Sequence, residues 1–147
     1  MEKKRILVID DDESVLETTA RILELEGYDV DTAKTGKEAV EKSNAKFYNL
    51  ALIDIRLPDM QGTQLLTAMR ETVPRMVKII VTGYPSMDNA VEAVNKGADG
   101  YVVKPIMDTD EFLNKINEHL KKQEESDRYS EKKVAEFVET RFKRSKA

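Results

Sequence analysis

Asp10, Asp11, Asp54, Thr82 and Lys104 are the residues whose types and placement best suit chemistry, because each stands where an apolar run stops. Arg5-Ile6-Leu7-Val8-Ile9 runs into Asp10-Asp11, and Asn49-Leu50-Ala51-Leu52-Ile53 into Asp54. Val77-Lys78-Ile79-Ile80-Val81 runs into Thr82, and Gly100-Tyr101-Val102-Val103 into Lys104. If these runs are parallel strands of one sheet, their carboxyl ends share one edge, where open α/β sheets place ligands. Three carboxylates crowded together need a cation to hold them ionised. Acids, a hydroxyl and a lysine converging there suit Mg²⁺ and phosphate.

The intervening segments must then be the crossovers. Val15, Leu16, Thr19, Ile22 and Leu23 form a helical stripe closed by Gly27. Thr35-Gly36-Lys37-Glu38 reads as a capping box opening a second helix, with Ala39, Val40 and Phe47 inward. Leu65, Leu66 and Met69 mark a third. Ser86 caps a fourth, with Met87, Ala90, Val91 and Val94 facing in and Gly97 ending it. Asp108 with Glu111 caps a fifth, carrying Phe112, Leu113, Ile116 and Leu120. The methionines fall at helical core spacing and read as packing residues.

Tyr28-Asp29-Val30-Asp31-Thr32 alternates apolar and polar residues, as a half-wet edge strand does, whereas the continuous runs suit strands covered on both faces. Five β-α repeats with right-handed crossovers give a doubly wound, flavodoxin-like (βα)5 sandwich, and the order 2-1-3-4-5 puts the alternating strand outside. Residues 3–122 form this domain and 123–147 a helical tail. The fifth helix either runs on into the tail or breaks near Ser126-Asp127 or Ser130. In the tail, Val134, Phe137, Val138 and Phe142 make a short apolar stripe. A helix this short is marginal in water unless that stripe packs on something, either its own domain or its copy in a dimer.

Composition excludes several classes. The chain has 147 residues and no cysteine, so disulfides and thiolate chemistry are out, and a reducing cytoplasm fits. No apolar run is long enough to span a bilayer, and Met1-Glu2-Lys3-Lys4 leads straight into a strand rather than a signal peptide. Residues 121–147 carry nine Lys/Arg against six Asp/Glu, which leaves 15 against 22 in residues 1–120. An acidic body argues against direct nucleic-acid binding. The basic end, Arg141-Phe142-Lys143-Arg144-Ser145-Lys146, suits the carbonyl end of a helix dipole. No P-loop and no G-x-G-x-x-G occurs.

Four segments together carry a resemblance: Ile6 to Glu13, Leu52 to Gly62, Val81-Thr82-Gly83, and Tyr101-Val102-Val103-Lys104-Pro105. Through them, over about residues 3–122, the chain resembles the CheY-like receiver domain of two-component response regulators. The resemblance implies that Asp54 is the phosphoacceptor, taking a phosphoryl group from a sensor histidine kinase or phosphotransfer protein. It implies Mg²⁺ held by Asp11 and Asp54 with the Arg56 carbonyl, Asp10 acting through water or by orienting the site. Lys104 and Thr82 would contact phosphoryl oxygens, and the Lys104–Pro105 bond would be cis. Thr82 and Tyr101 would be the switch pair, acting on the face made by helix 4, strand 5 and helix 5. Bulky Arg56 and Tyr84 would gate the attacking water and slow autodephosphorylation.

Asp12 reads as a helix cap, and His119, beside the fifth helix's stripe, as structural. An Asp-nucleophile phosphohydrolase is the enzymatic rival, but its second acid would stand where Arg56 is. A receiver-like binding module independent of phosphorylation would depart at the acids, Thr82 or Lys104, and none does. The output is a downstream protein target, or a missing domain if the chain is the amino-terminal piece of a transcriptional regulator or hybrid kinase.

Overall fold

The computed structural model describes the backbone of residues 3–146 and the side chains of residues 3–139. Strands and helices alternate: β1 (Arg5–Ile9), α1 (Glu13–Leu25), β2 (Asp29–Ala33), α2 (Gly36–Ala45), β3 (Leu50–Ile53), α3 (Gly62–Ala68), β4 (Val77–Thr82), α4 (Met87–Asn95), β5 (Gly100–Val103) and α5 (Thr109–Lys146). The five strands are parallel in the order β2-β1-β3-β4-β5, as expected.

Alternation along β1 and β3 divides the core. Leu7, Ile9, Ala51 and Ile53 face one layer with Tyr48, Leu65, Leu66 and Ala93. Ile6, Val8, Leu50 and Leu52 face the other with Leu16, Leu23, Phe112, Ile116 and Leu120. Both faces of the central strands are dry, which explains their continuous apolar runs.

The caps hold their elements where the sequence places them. Asp12 accepts from the Ser14 and Val15 N–H groups and starts α1. Gly27 at φ +101° and Gly97 at φ +95° close α1 and α4 in the left-handed region. Thr35 caps α2 by accepting from the Glu38 N–H, but the Glu38 carboxylate accepts from Lys34 rather than Thr35, so the capping box is only half formed.

Two inward assignments are corrected. Phe47 lies beyond the end of α2 and is half-buried; the aromatic filling that space is Tyr48, 1 % exposed, its hydroxyl donating to Asp31. On α4, Met87, Val91 and Val94 are exposed, and Ala93 is the buried residue, with Ala90 half-buried. Both sets have helical spacing. The small set turns inward because α4 lies close to α3, where Thr63 Oγ1 donates to Glu92. Met107 is exposed as well, so neither it nor Met87 is a packing residue.

Helix α5 runs unbroken through Ser126-Asp127 and Ser130. Gln123 is its last buried residue among the described side chains, donating to the Asn49 and Arg75 carbonyls and accepting from the Asn49 amide. That residue ties the helix to the amino-terminal ends of β3 and β4. Beyond it Tyr129, Val134, Phe137 and Val138 are exposed. The side chains of Phe142 and the basic end lie outside the described residues. Among the described residues no helix is long and apolar enough to cross a membrane.

Candidate phosphoacceptor site

Each acid is delivered by its strand. Asp10 follows β1 with its N–H donating to the Ala33 carbonyl of β2, and the Asp54 N–H donates to the Ile9 carbonyl of β1. The register that pairs Ile9 with Ile53 therefore sets Asp10 and Asp54 side by side. Carboxylate oxygens of Asp10, Asp11 and Asp54 lie within 4.8 Å of one another. Asp10 and Asp54 are 3 % and 8 % exposed, while Asp11 is open to solvent.

Lys104 enters from β5. Its Nζ is ion-paired with Asp10 and stands 3.7 Å from Asp54 Oδ2. The Lys104–Pro105 bond is cis. Lys104 alone does not neutralise three acids. Burial, chiefly, with Asp10 and Asp11 beside it, pushes the Asp54 carboxyl up to about 6, against the pull of Lys104 and of the Arg56 N–H bonded to it. Crowded hard oxygen donors, one solvent-facing, fit a divalent cation such as Mg²⁺.

The loop after β3 turns back on itself. Arg56 and Gln61 form an isolated antiparallel bridge, flanked by the bonds Gly62 N–H to Ile55 O (2.6 Å) and Leu57 N–H to Met60 O (3.2 Å). In such a pair the residue between the bonds turns its own N–H and C=O the other way. The Arg56 N–H turned that way donates to the Asp54 carboxylate. The tight return brings Gly62 against the backbone of Asp54: a Cβ at position 62 would lie 1.9 Å from the Asp54 carbonyl oxygen.

Thr82 closes β4 and is fully buried, its Oγ1 accepting from the Tyr84 N–H at 3.0 Å. Tyr101 on β5 is half-buried and donates its hydroxyl to Asn89. Arg56 and Tyr84 touch: the guanidinium carbon is 3.7 Å from the Tyr84 ring centroid. His119 takes no part; it is half-buried behind Gly100, at the other end of β5 from Lys104.

Beside the acids a cavity of about 520 Å³ opens between α1 and the start of α5, walled by Val15, Ile22, Pro105, Ile106 and Phe112. The site thus joins a charged pocket to an apolar groove.

Comparison with known proteins places this geometry. The sequence matches the response regulator receiver domain family over residues 6–117. It is 39% identical over 101 residues to the alginate biosynthesis transcriptional regulatory protein AlgB of Pseudomonas syringae pv. tomato, covering 69% of this chain and 22% of that protein. It is 38% identical over 119 residues to the transcriptional regulatory protein ZraR of Klebsiella oxytoca, covering 81% and 27%. The chain therefore spans about a quarter of the length of these relatives. Among solved structures, a CheY-like response regulator receiver domain protein from Methanospirillum hungatei JF-1 superposes with a TM-score of 0.80 at 48% identity, covering 85% of this chain and 99% of that one.

Proposed function

Because the chain belongs to the response regulator receiver domain family, we propose that it is a phosphorylation-activated switch with Asp54 as phosphoacceptor. The observation that carries this reading is the meeting of Asp54 with Asp10, Asp11 and Lys104 at one sheet edge. An Asp54 carboxylate oxygen attacks phosphorus in line, the bond from phosphorus to the donor's histidine nitrogen breaks, and an acyl phosphate forms. Lys104 turns from Asp10 to pair with one phosphoryl oxygen, and the Thr82 hydroxyl donates to another. Asp10, Asp11 and Asp54, with the Arg56 carbonyl, would hold Mg²⁺, which supplies the positive charge that lets one anion approach another. The donor is a sensor histidine kinase or phosphotransfer protein, whose apolar side chains suit the groove between Val15, Ile22 and Ile106. The chain's only turnover is on its own carboxylate; Arg56 stands where a phosphohydrolase would need a second acid.

Thr82 and Tyr101 form the switch pair. The face they control carries exposed Met87, Val91, Val94, Val103 and Met107, apolar area available to a downstream target or output domain. The helix past Gln123 leads toward whatever follows in the longer relatives.

Intact-protein mass after incubation with acetyl phosphate tests the core of this reading. One phosphoryl adduct is expected with Mg²⁺, none without it, and none in Asp54→Asn. No adduct under any condition would instead make the chain a binding module independent of phosphorylation.

The contact between Arg56 and Tyr84 sets how long the phosphoryl group survives. A stacked pair is broken by losing either member. Arg56→Ala and Tyr84→Ala are each expected to speed autodephosphorylation about two- to fivefold, the rate equivalent of an exposed cation–π contact of about 0.5–1 kcal/mol. The double variant should be no faster than either single. Phosphate release followed after removing donor checks this, and unchanged rates in both single variants would remove the pair from any gating role.

A further inference from the structure

We propose that Asn89 is the positioning residue that couples Thr82 to Tyr101, through a side-chain amide joining the β4–α4 loop to the Tyr101 hydroxyl. The inference rests on the reading of Thr82 and Tyr101 as the switch pair and supplies the connection that reading lacks. Three hydrogen bonds make the path. Thr82 Oγ1 accepts from the Tyr84 N–H at 3.0 Å, the Tyr84 carbonyl accepts from Asn89 Nδ2 at 2.9 Å, and Asn89 Oδ1 accepts from the Tyr101 hydroxyl.

Helix capping accounts for only part of this. Asn89 is the third residue of α4 and completes a capping box, its N–H donating to Ser86 Oγ at 3.1 Å and its Oδ1 accepting from the Ser86 N–H at 3.3 Å. A glutamate serves that purpose equally well. A carboxylate has no N–H for the Tyr84 carbonyl, however, whereas an amide donates and accepts from one side chain. The bonds to Tyr84 and Tyr101 are thus the ones that capping leaves unexplained.

The path has a direction of action. When the Thr82 hydroxyl turns to a phosphoryl oxygen, the Tyr84 N–H loses its acceptor and the loop peptide is free to move. The Tyr84 carbonyl moves with it and carries the Asn89 amide, which holds Tyr101 by its other end. The three bonds are a contiguous path; what demonstrates coupling is a two-state element that both ends bias, and the Tyr101 resonance reads it. Asn89 touches no reacting atom and acts only through Tyr84 and Tyr101.

The test uses the full chain labelled with 3-fluorotyrosine, the Tyr101 fluorine resonance being identified by its loss in Tyr101→Phe. Spectra are taken with and without acetyl phosphate and Mg²⁺, and the phosphorylated fraction is read by mass. The wild-type Tyr101 resonance is expected to move on phosphorylation. In Asn89→Ala it should start from a changed position and lose most of that response, with the phosphorylated fraction unchanged. Asn89→Asp keeps the acceptor for Tyr101 but loses the donor to Tyr84, so it should keep the resting position and still lose the response. A wild-type-sized response in both variants overturns the role of Asn89 while leaving the switch pair standing. A wild-type resonance that ignores phosphorylation overturns the switch pair and the coupling together.

Discussion

Gly62→Ala is expected to damage the site more than any other single methyl group added to this protein. The new Cβ would stand 1.9 Å from the Asp54 carbonyl oxygen, 2.7 Å from its carbonyl carbon and 2.9 Å from the Ile55 Cα. All three are backbone atoms, so no side chain can swing away to make room. Either the start of α3 moves off or the peptide after Asp54 rotates. Both break the short bond from the Gly62 N–H to the Ile55 carbonyl. Overpacking a tight interior costs about 1–3 kcal/mol, and the lost bond adds about 1 kcal/mol. The effect on chemistry is larger, because the displaced segment holds Asp54, the proposed phosphoacceptor. A shift of about 1 Å at a reacting group is worth about 100-fold in rate. Urea denaturation should therefore place Gly62→Ala about 2–4 kcal/mol below wild type. Its initial rate of phosphorylation by acetyl phosphate, at a temperature where it remains folded, should fall about 100-fold. Gly83→Ala is the matched control, since its Cβ would meet nothing closer than Lys104 Cβ at 4.0 Å. Equal rates in Gly62→Ala and Gly83→Ala would show that the loop after β3 does not position Asp54.

That glycine marks where sequence reasoning stops. The fold is legible because the layers impose different patterns: dry central strands read as unbroken apolar runs, the half-wet β2 as alternation, and the caps at Asp12, Ser86 and Asp108 as starts. The acids are legible because an ionisable residue at the end of a dry strand has no packing reason to be there. Nothing in the spacing of Asp54 and Gly62 reveals that the loop returns to within contact distance of its own beginning. The same holds for Arg56 and Tyr84, which lie on neighbouring loops and meet only because β3 and β4 pair in register.

Helix α4 fails for another reason. Its sequence offers two apolar sets at helical spacing, Met87-Val91-Val94 and Ala90-Ala93, and periodicity alone does not choose between them. Reasoning by hydrophobicity picks Met87, Val91 and Val94 together with Ala90, and misses Ala93. Close packing against α3 picks the smaller ones, and leaves the larger on the face where a partner would bind. Sequence does not decide the continuity of α5, because Ser126, Asp127 and Ser130 weaken a helix without breaking it and no glycine or proline follows Pro105 to do so. Asn89 gives no sequence signal of its own, because asparagine in a helix's first turn already has a capping use.

The acid cluster itself should cost the protein stability, and Asp54→Asn is expected to recover it. An aspartate titrates near 3.8 in its ordinary state, whereas burial beside Asp10 and Asp11 pushes Asp54 up to about 6. With the folded-state value above the unfolded one, the native form holds a proton that the unfolded form has already released between those limits. Stability therefore declines as pH rises from about 4, and the loss is complete once pH passes about 6. About two pH units at 1.36 kcal/mol each bound the penalty at roughly 3 kcal/mol, and the remaining solvent access at the site brings the expected figure to about 2 kcal/mol. Asparagine carries no charge to bury. Without divalent cation, Asp54→Asn should unfold about 2 kcal/mol above wild type at pH 8 and no higher than wild type at pH 4. Added Mg²⁺ should narrow the pH 8 gap, because a ligand of the native state stabilises the chain that binds it. Urea melts at both pH values, with chelator and with Mg²⁺, make the comparison. Parallel pH dependence in the two proteins would mean that Asp54 is ionised in the native state at no cost. The expected divergence would instead locate the energy that a cation and a phosphoryl group draw on: the protein folds around an arrangement of like charges that binding relieves, and the cost is retained because a neutral residue there would leave nothing to phosphorylate.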